Sequence, residues 1–66
     1  MITYKPLFRL LVDNNLNKTD IMKITGCSSR TLAKLSKNEF VSLSLIDKLC
    51  SHFKCSIENI IEYHEK

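Results

Sequence analysis

Apolar residues recur along this 66-residue chain with the i, i+3, i+4 spacing of helix faces, and small polar residues separate the runs. Leu7, Leu10 and Leu11, with Phe8 beside them, predict a first helix from Pro6 to about Asp13. Proline suits its opening turn, where no backbone N–H is needed, and Asn14-Asn15 ends it while Leu16 packs as the chain turns. Ile21 and Ile24 mark the core side of a second helix, Lys18 to Thr25, with Met22 between core and surface. Asn17 is the expected N-cap, because its side-chain oxygen can accept from N–H groups of the next turn, and Asp20 sits near the positive end of that helix. Gly26 supplies the left-handed C-cap that other residues adopt only at a cost. Ser28 then caps a third helix that closes at Lys37-Asn38-Glu39, after which Phe40 and Val41 are expected to return to the core. The strongest pattern follows Ser42, where Leu45, Ile46, Leu49, Cys50 and Phe53 predict a fourth helix to about Phe53. Ser56 caps a last short helix with Ile57, Ile60 and Ile61 inward, although Ile60 to Tyr63 fits a brief strand equally well. An extended segment there would pair with the β-prone Ile2-Thr3-Tyr4 of the same or another chain, since a lone edge strand seeks another edge.

The second and third helices, joined at Gly26 by a turn of a few residues, form a helix-turn-helix pattern spanning about 17–37. On a helix turning about 100° per residue, Arg30, Lys34 and Lys37 fall within roughly 60° of arc, with Ala33 beside them and Leu32 and Leu35 opposite. One face packs and the other is cationic. A helix that buries leucines and presents Arg, Lys and Ser just after a glycine turn is suited to a groove of DNA. The same cations would also suit an ordinary solvated face, and Lys18 and Lys23 have that reading as well.

Charge is uneven along the chain in a way that suits the first alternative, although an excess this small also arises by chance on a solvated surface. Residues 1–38 hold Lys5, Arg9, Lys18, Lys23, Arg30, Lys34 and Lys37 against Asp13 and Asp20, whereas 39–66 hold Lys48, Lys54 and Lys66 against Glu39, Asp47, Glu58, Glu62 and Glu65. A net charge of +3 therefore conceals a cationic half containing the helix-turn-helix and an acidic half without it. Hydrophobic residues make up 44% of the chain, with one Gly and one Pro, which favours an ordered small domain over 1–66. No apolar run approaches the roughly 18 to 20 residues of a membrane span. The opening residues lack the apolar region of a signal peptide, so the cytoplasm is the expected compartment. Cys27, Cys50 and Cys55 form no C-x-x-C pair and favour no disulfide framework; Cys27 and Cys50 are read as small buried hydrophobes and Cys55 as a partly buried turn residue. Cys50, His52, Cys55 and His64 match no common zinc spacing, so neither metal nor cofactor is expected and both histidines are read as surface residues. Paired carboxylates, a Ser/His/Asp set and a phosphate loop are all missing from the pattern, which argues against an enzyme.

The opening YKPLFRLL, the core KTDIMKITGCSSRTLAKLSKNE, the Val41-Ser42-Leu43 segment and the closing LIDKLCSHFKCSIENIIEY together resemble the Cro-type, phage-repressor-like helix-turn-helix family, in particular its small stand-alone bacterial regulators. The resemblance implies an all-α, lambda-repressor-like bundle of four or five helices, with room for short terminal β segments. It also implies a homodimer on a double-stranded DNA operator with two-fold symmetry, with no membrane or small-molecule partner. By position in the motif, Ser28, Ser29 and Arg30 match the start of the recognition helix and Lys34 lies one turn on. Asn17, Lys18 and Thr19 match the phosphate-contacting start of the preceding helix, and Lys37 and Asn38 match a loop that reaches backbone or neighbouring bases. One departure is Met22 at the fifth position of the motif, where many members carry Ala.

Two functions follow for comparison. One is a sequence-specific transcriptional regulator, a dimeric repressor reading an inverted repeat. The other is an antitoxin-like or adaptor module that keeps the fold but contacts a protein. Only the first gives Arg30, Lys34 and Lys37 a reason to stand together opposite two leucines.

Overall fold

Three side-chain caps and one glycine set the helix boundaries in the computed structural model, which describes residues 1–65. Strand β1 (Ile2–Thr3) leads into α1 (Lys5–Asp13), followed by α2 (Lys18–Thr25), α3 (Ser29–Ser36) and α4 (Leu43–Phe53). A single 3₁₀ turn, Ile57–Asn59, then precedes strand β2 (Glu62–Tyr63). Asn17, Ser28 and Ser42 each adopt extended backbone and accept a hydrogen bond from an N–H in the first turn of the helix that follows. These bonds satisfy donors that a helix end would otherwise leave without partners. Gly26 has φ +73°, and its N–H donates to the Met22 carbonyl, which stops α2 and frees the chain to turn into α3.

The core is built from Tyr4, Leu7, Leu11, Ile21, Leu35, Leu45, Ile46, Leu49 and Ile60, so every helix and both terminal segments contribute to it or pack on it. At the far end of α2, Thr25 is buried and donates from its hydroxyl to the Ile21 carbonyl at 2.7 Å. Lys48 of α4 reaches the Thr25 carbonyl at 3.4 Å, tying α4 to the turn that launches α3.

Three expectations change, and one open alternative is decided. The last helix is only the 3₁₀ turn, in which Ile57 is 46% exposed while Ile60 is fully buried. A three-residue turn has too little length to put all three isoleucines on one inward stripe. Glu62–Tyr63 is the strand alternative, and it pairs antiparallel with Ile2–Thr3 of the same chain in the register Ile2 to Tyr63 and Thr3 to Glu62. Phe40 does not enter the core: it is 77% exposed, because Val41 takes the inward place and successive side chains of a non-helical segment point to opposite sides. Ile24, Cys27 and Cys50 are half-buried rather than enclosed. Among the described residues no helix is long and apolar enough to cross a membrane.

Candidate nucleic-acid interface

Helices α2 and α3 carry the sequence-predicted site, and each side chain can be traced to the element that holds it. At the start of α2, the Asn17 Oδ1 accepts from the Asp20 N–H at 3.2 Å, and the Asp20 carboxylate accepts from the Asn17 N–H at 2.8 Å. The Thr19 hydroxyl donates to the same Asn17 oxygen at 2.5 Å. This closed capping box fixes the first turn, where the helix dipole is positive, and leaves the Asn17 amide nitrogen as a donor. Lys18 extends beside it, its Nζ 5.2 Å from the centre of the Phe8 ring. The aromatic face attracts the ammonium and restricts where it can go. Phe8 thus positions a cation of the predicted site from α1, a role that helical spacing alone does not reveal.

In α3, Leu35 is fully buried and Leu32 is half-buried against the core. Ser28, Ser29, Arg30, Ala33 and Lys34 are exposed, as is Lys37, which forms the C-cap. The two faces expected of this helix are therefore present. Among the described residues the Lys–carboxylate ion pair is Lys23 with Asp20 at 4.0 Å, and the His64 Nε2 lies 2.6 Å from a Glu62 carboxylate oxygen. Arg30, Lys34 and Lys37 share in neither, so their charges stay available to an anion. The Ser28 oxygen is partly committed, accepting from the Thr31 N–H at 3.3 Å as the N-cap. Ser29 carries no such role.

Asn38 is half-buried in a left-handed turn with φ +58°, and its Oδ1 accepts from the Tyr4 N–H at 3.2 Å. One end of this predicted loop contact is thus turned toward the protein, leaving its amide nitrogen for an outside acceptor. Tyr4 completes the clamp, donating from its hydroxyl to the Glu39 carbonyl at 2.6 Å. Burial pushes the Tyr4 phenol above its ordinary value, and a hydrogen bond with the Val41 backbone partly counters that rise. The N-terminal segment therefore holds the chain where it leaves α3. In the sequence Tyr4 carries only a strand preference. A buried tyrosine needs a hydrogen-bond partner, which is a usable signal, but the partner here lies 35 residues away. Metal-binding clusters of three or more His, Cys, Asp or Glu side chains are absent among the described residues.

This geometry, a capped helix, a glycine turn and a second helix with a free cationic face, is that of a helix-turn-helix DNA-binding domain. Residues 7–66 match the Cro/C1-type helix-turn-helix DNA-binding domain, and the chain belongs to that family. Among solved structures it is similar to the crystal structure of the transcriptional regulator VanUg, form II, with 35% sequence identity and a TM-score of 0.91. That similarity covers 98% of this chain and 87% of the other. No curated protein sequence matches the chain.

Proposed function

We propose that this chain is a sequence-specific transcriptional regulator that binds an inverted repeat in double-stranded DNA as a homodimer and represses by occupying it. The observation that carries the reading is the face of α3, where Arg30, Lys34 and the following Lys37 are exposed and free of ion pairs opposite the fully buried Leu35. With α3 in the major groove, Arg30 is the residue for base readout, because its planar fork matches the O6 and N7 of guanine. Ser28 and Ser29 approach neighbouring bases or phosphates and specify less, since a hydroxyl both donates and accepts. Lys18, Lys34 and Lys37 hold phosphates and set register and affinity. Asn17 and Thr19 present the N-terminus of α2 to a phosphate, with the capping box fixing its free N–H groups. Asn38 offers its amide to the backbone beside α3.

The similarity to VanUg, which is described as a transcriptional regulator, supports the regulatory part of this reading. The family's DNA-binding description supports the duplex as ligand. An adaptor role would draw on exposed apolar surface, which exists at Phe40 and Leu43, but it leaves the cationic face without a task.

Binding to duplex DNA across a salt series tests the electrostatic half of the proposal. Lys34→Ala and Lys37→Ala should each weaken binding to all sequences and reduce the slope of log affinity against log salt by about one unit. An unchanged slope would remove that lysine from the interface.

A further inference from the structure

Cys50 and Cys55 lack the C-x-x-C spacing, yet the way α4 ends brings their thiols together. Lys54 takes left-handed backbone with φ +52°, and its N–H donates to the Cys50 carbonyl. The Cys55 N–H donates to the same carbonyl at 3.1 Å. A helix closed in this way sets the side chain just past the left-handed residue against the one five places before it. Here those two side chains are thiols. Burial does most to push the Cys50 thiol above its ordinary value of 9.0, and the neighbouring Cys55 adds to the rise by charge and by hydrogen bonding, ahead of Asp47. Cys27, in the turn between α2 and α3, is not among the groups that act on Cys50. Both members of the pair are half-buried, so small solutes can still reach them.

We infer that Cys50 and Cys55 are a reversible modification site, at which a low-molecular-weight disulfide converts the two thiols into one intramolecular disulfide. Cys55 gives its proton to solvent and attacks one sulfur of the small disulfide, whose S–S bond breaks and releases a small thiolate. Cys50, kept as the thiol by burial until then, loses its proton and attacks the Cys55 sulfur of the mixed disulfide, which releases the second small thiolate. The two protons end on the two small thiolates. Two protein thiols are thus oxidised to one S–S bond while one small disulfide is reduced to two thiols.

The place of the bond gives it a use. A lysine adopts left-handed backbone only at a cost, so the Lys54 turn is held by the packing around it rather than by its own preference. Beyond that turn the chain carries the fully buried Ile60 and then β2, which pairs with β1. Strand β1 leads in turn to Tyr4, whose hydroxyl holds the Glu39 carbonyl after α3. A covalent link across residues 50–55 removes unfolded conformations in which the turn is open, and so favours the folded chain. None of the residues proposed to touch DNA lies in that span, so oxidation secures the fold without occupying the interface.

The test equilibrates the full chain with mixtures of reduced and oxidised glutathione, alkylates the thiols that remain and reads the peptides by mass spectrometry, with Cys55→Ser and Cys27→Ser alongside. Expected in the wild type and in Cys27→Ser is joint protection of Cys50 and Cys55 with loss of two hydrogens, reversed by a reductant, while Cys27 of the wild type stays open to alkylation. Cys55→Ser should form no internal bond. Oxidation should raise the thermal midpoint of the wild type and of Cys27→Ser by about 5 °C or more and leave that of Cys55→Ser unchanged. Glutathione adducts without the internal bond at every ratio would overturn the inference, as would bonds to Cys27 or between chains in place of the Cys50 to Cys55 link. A bond that forms without raising the midpoint would overturn its securing role. The wild type and Cys27→Ser decide the matter even where Cys55→Ser does not fold, and none of these readouts depends on DNA binding.

Discussion

Arg30 and Lys34 lie one turn apart on the same exposed face, yet the proposed function gives them different work. A guanidinium pairs with a guanine edge through two parallel hydrogen bonds, whereas an ammonium acts as a compact charge toward phosphate. Arg30→Ala should therefore cost about 1 to 3 kcal/mol on the operator and relax base choice at one position of each half-site, with little effect on random duplex. Competition binding against a library of single-base operator variants reads both effects. Equal weakening on every sequence would make Arg30 another phosphate contact. Gly26 is specified by conformation alone, since nothing lies within 4 Å of the place a Cβ would take. Gly26→Ala thus adds no clash, only the left-handed backbone cost of about 1 to 2 kcal/mol. A stiffer unfolded chain offsets up to about 1 kcal/mol of that. Urea unfolding should show a net loss near 1 kcal/mol with folding preserved, and a stabilised variant would contradict the account.

At the scale of elements, what the sequence shows and what it hides divide by range. Asn17, Gly26, Ser28 and Ser42 act on residues within four positions, so their caps and the limits of α2 and α4 can be read from local pattern. The cationic face of α3 is equally legible, because one helix generates it. Phe40 misleads because hydrophobicity predicts burial, whereas only the tertiary path of the segment after Asn38 shows that Val41 takes the inward place. Tyr4 and Phe8 act across 35 and 10 positions, on Glu39 and Lys18, and no periodicity links such pairs. The Tyr4 clamp has a measurable consequence. Tyr4→Phe removes its bond to the Glu39 carbonyl and should cost about 1 kcal/mol at neutral pH. Burial raises the folded-state pKa above the ordinary value of 10.0, so the folded protein holds this proton more tightly than the unfolded chain does. Stability from that difference is fully present below pH 10.0 and is lost as pH rises toward the folded-state value. Unfolding measured from neutral to strongly alkaline pH should fall less steeply in Tyr4→Phe than in the wild type. Identical slopes would separate Tyr4 from alkaline instability.

Across the whole molecule, charge divides between the two halves of the chain. Cations concentrate in residues 1–38, and acids outnumber them in 39–66, which orients the helix-turn-helix toward a polyanion. The exposed Phe40 and Leu43 stand where the first region meets the second. In the proposed dimer each copy contributes one α3, and the two helices form the reading unit. The central claim is that this unit reads a specific, two-fold sequence. Selection of fragments of genomic DNA by the purified, folded protein at near-physiological salt, followed by sequencing, tests it most directly. The account predicts enrichment of one inverted repeat with half-sites about one helical turn apart. Recovery of fragments with no shared sequence, from protein shown to be folded, would contradict it.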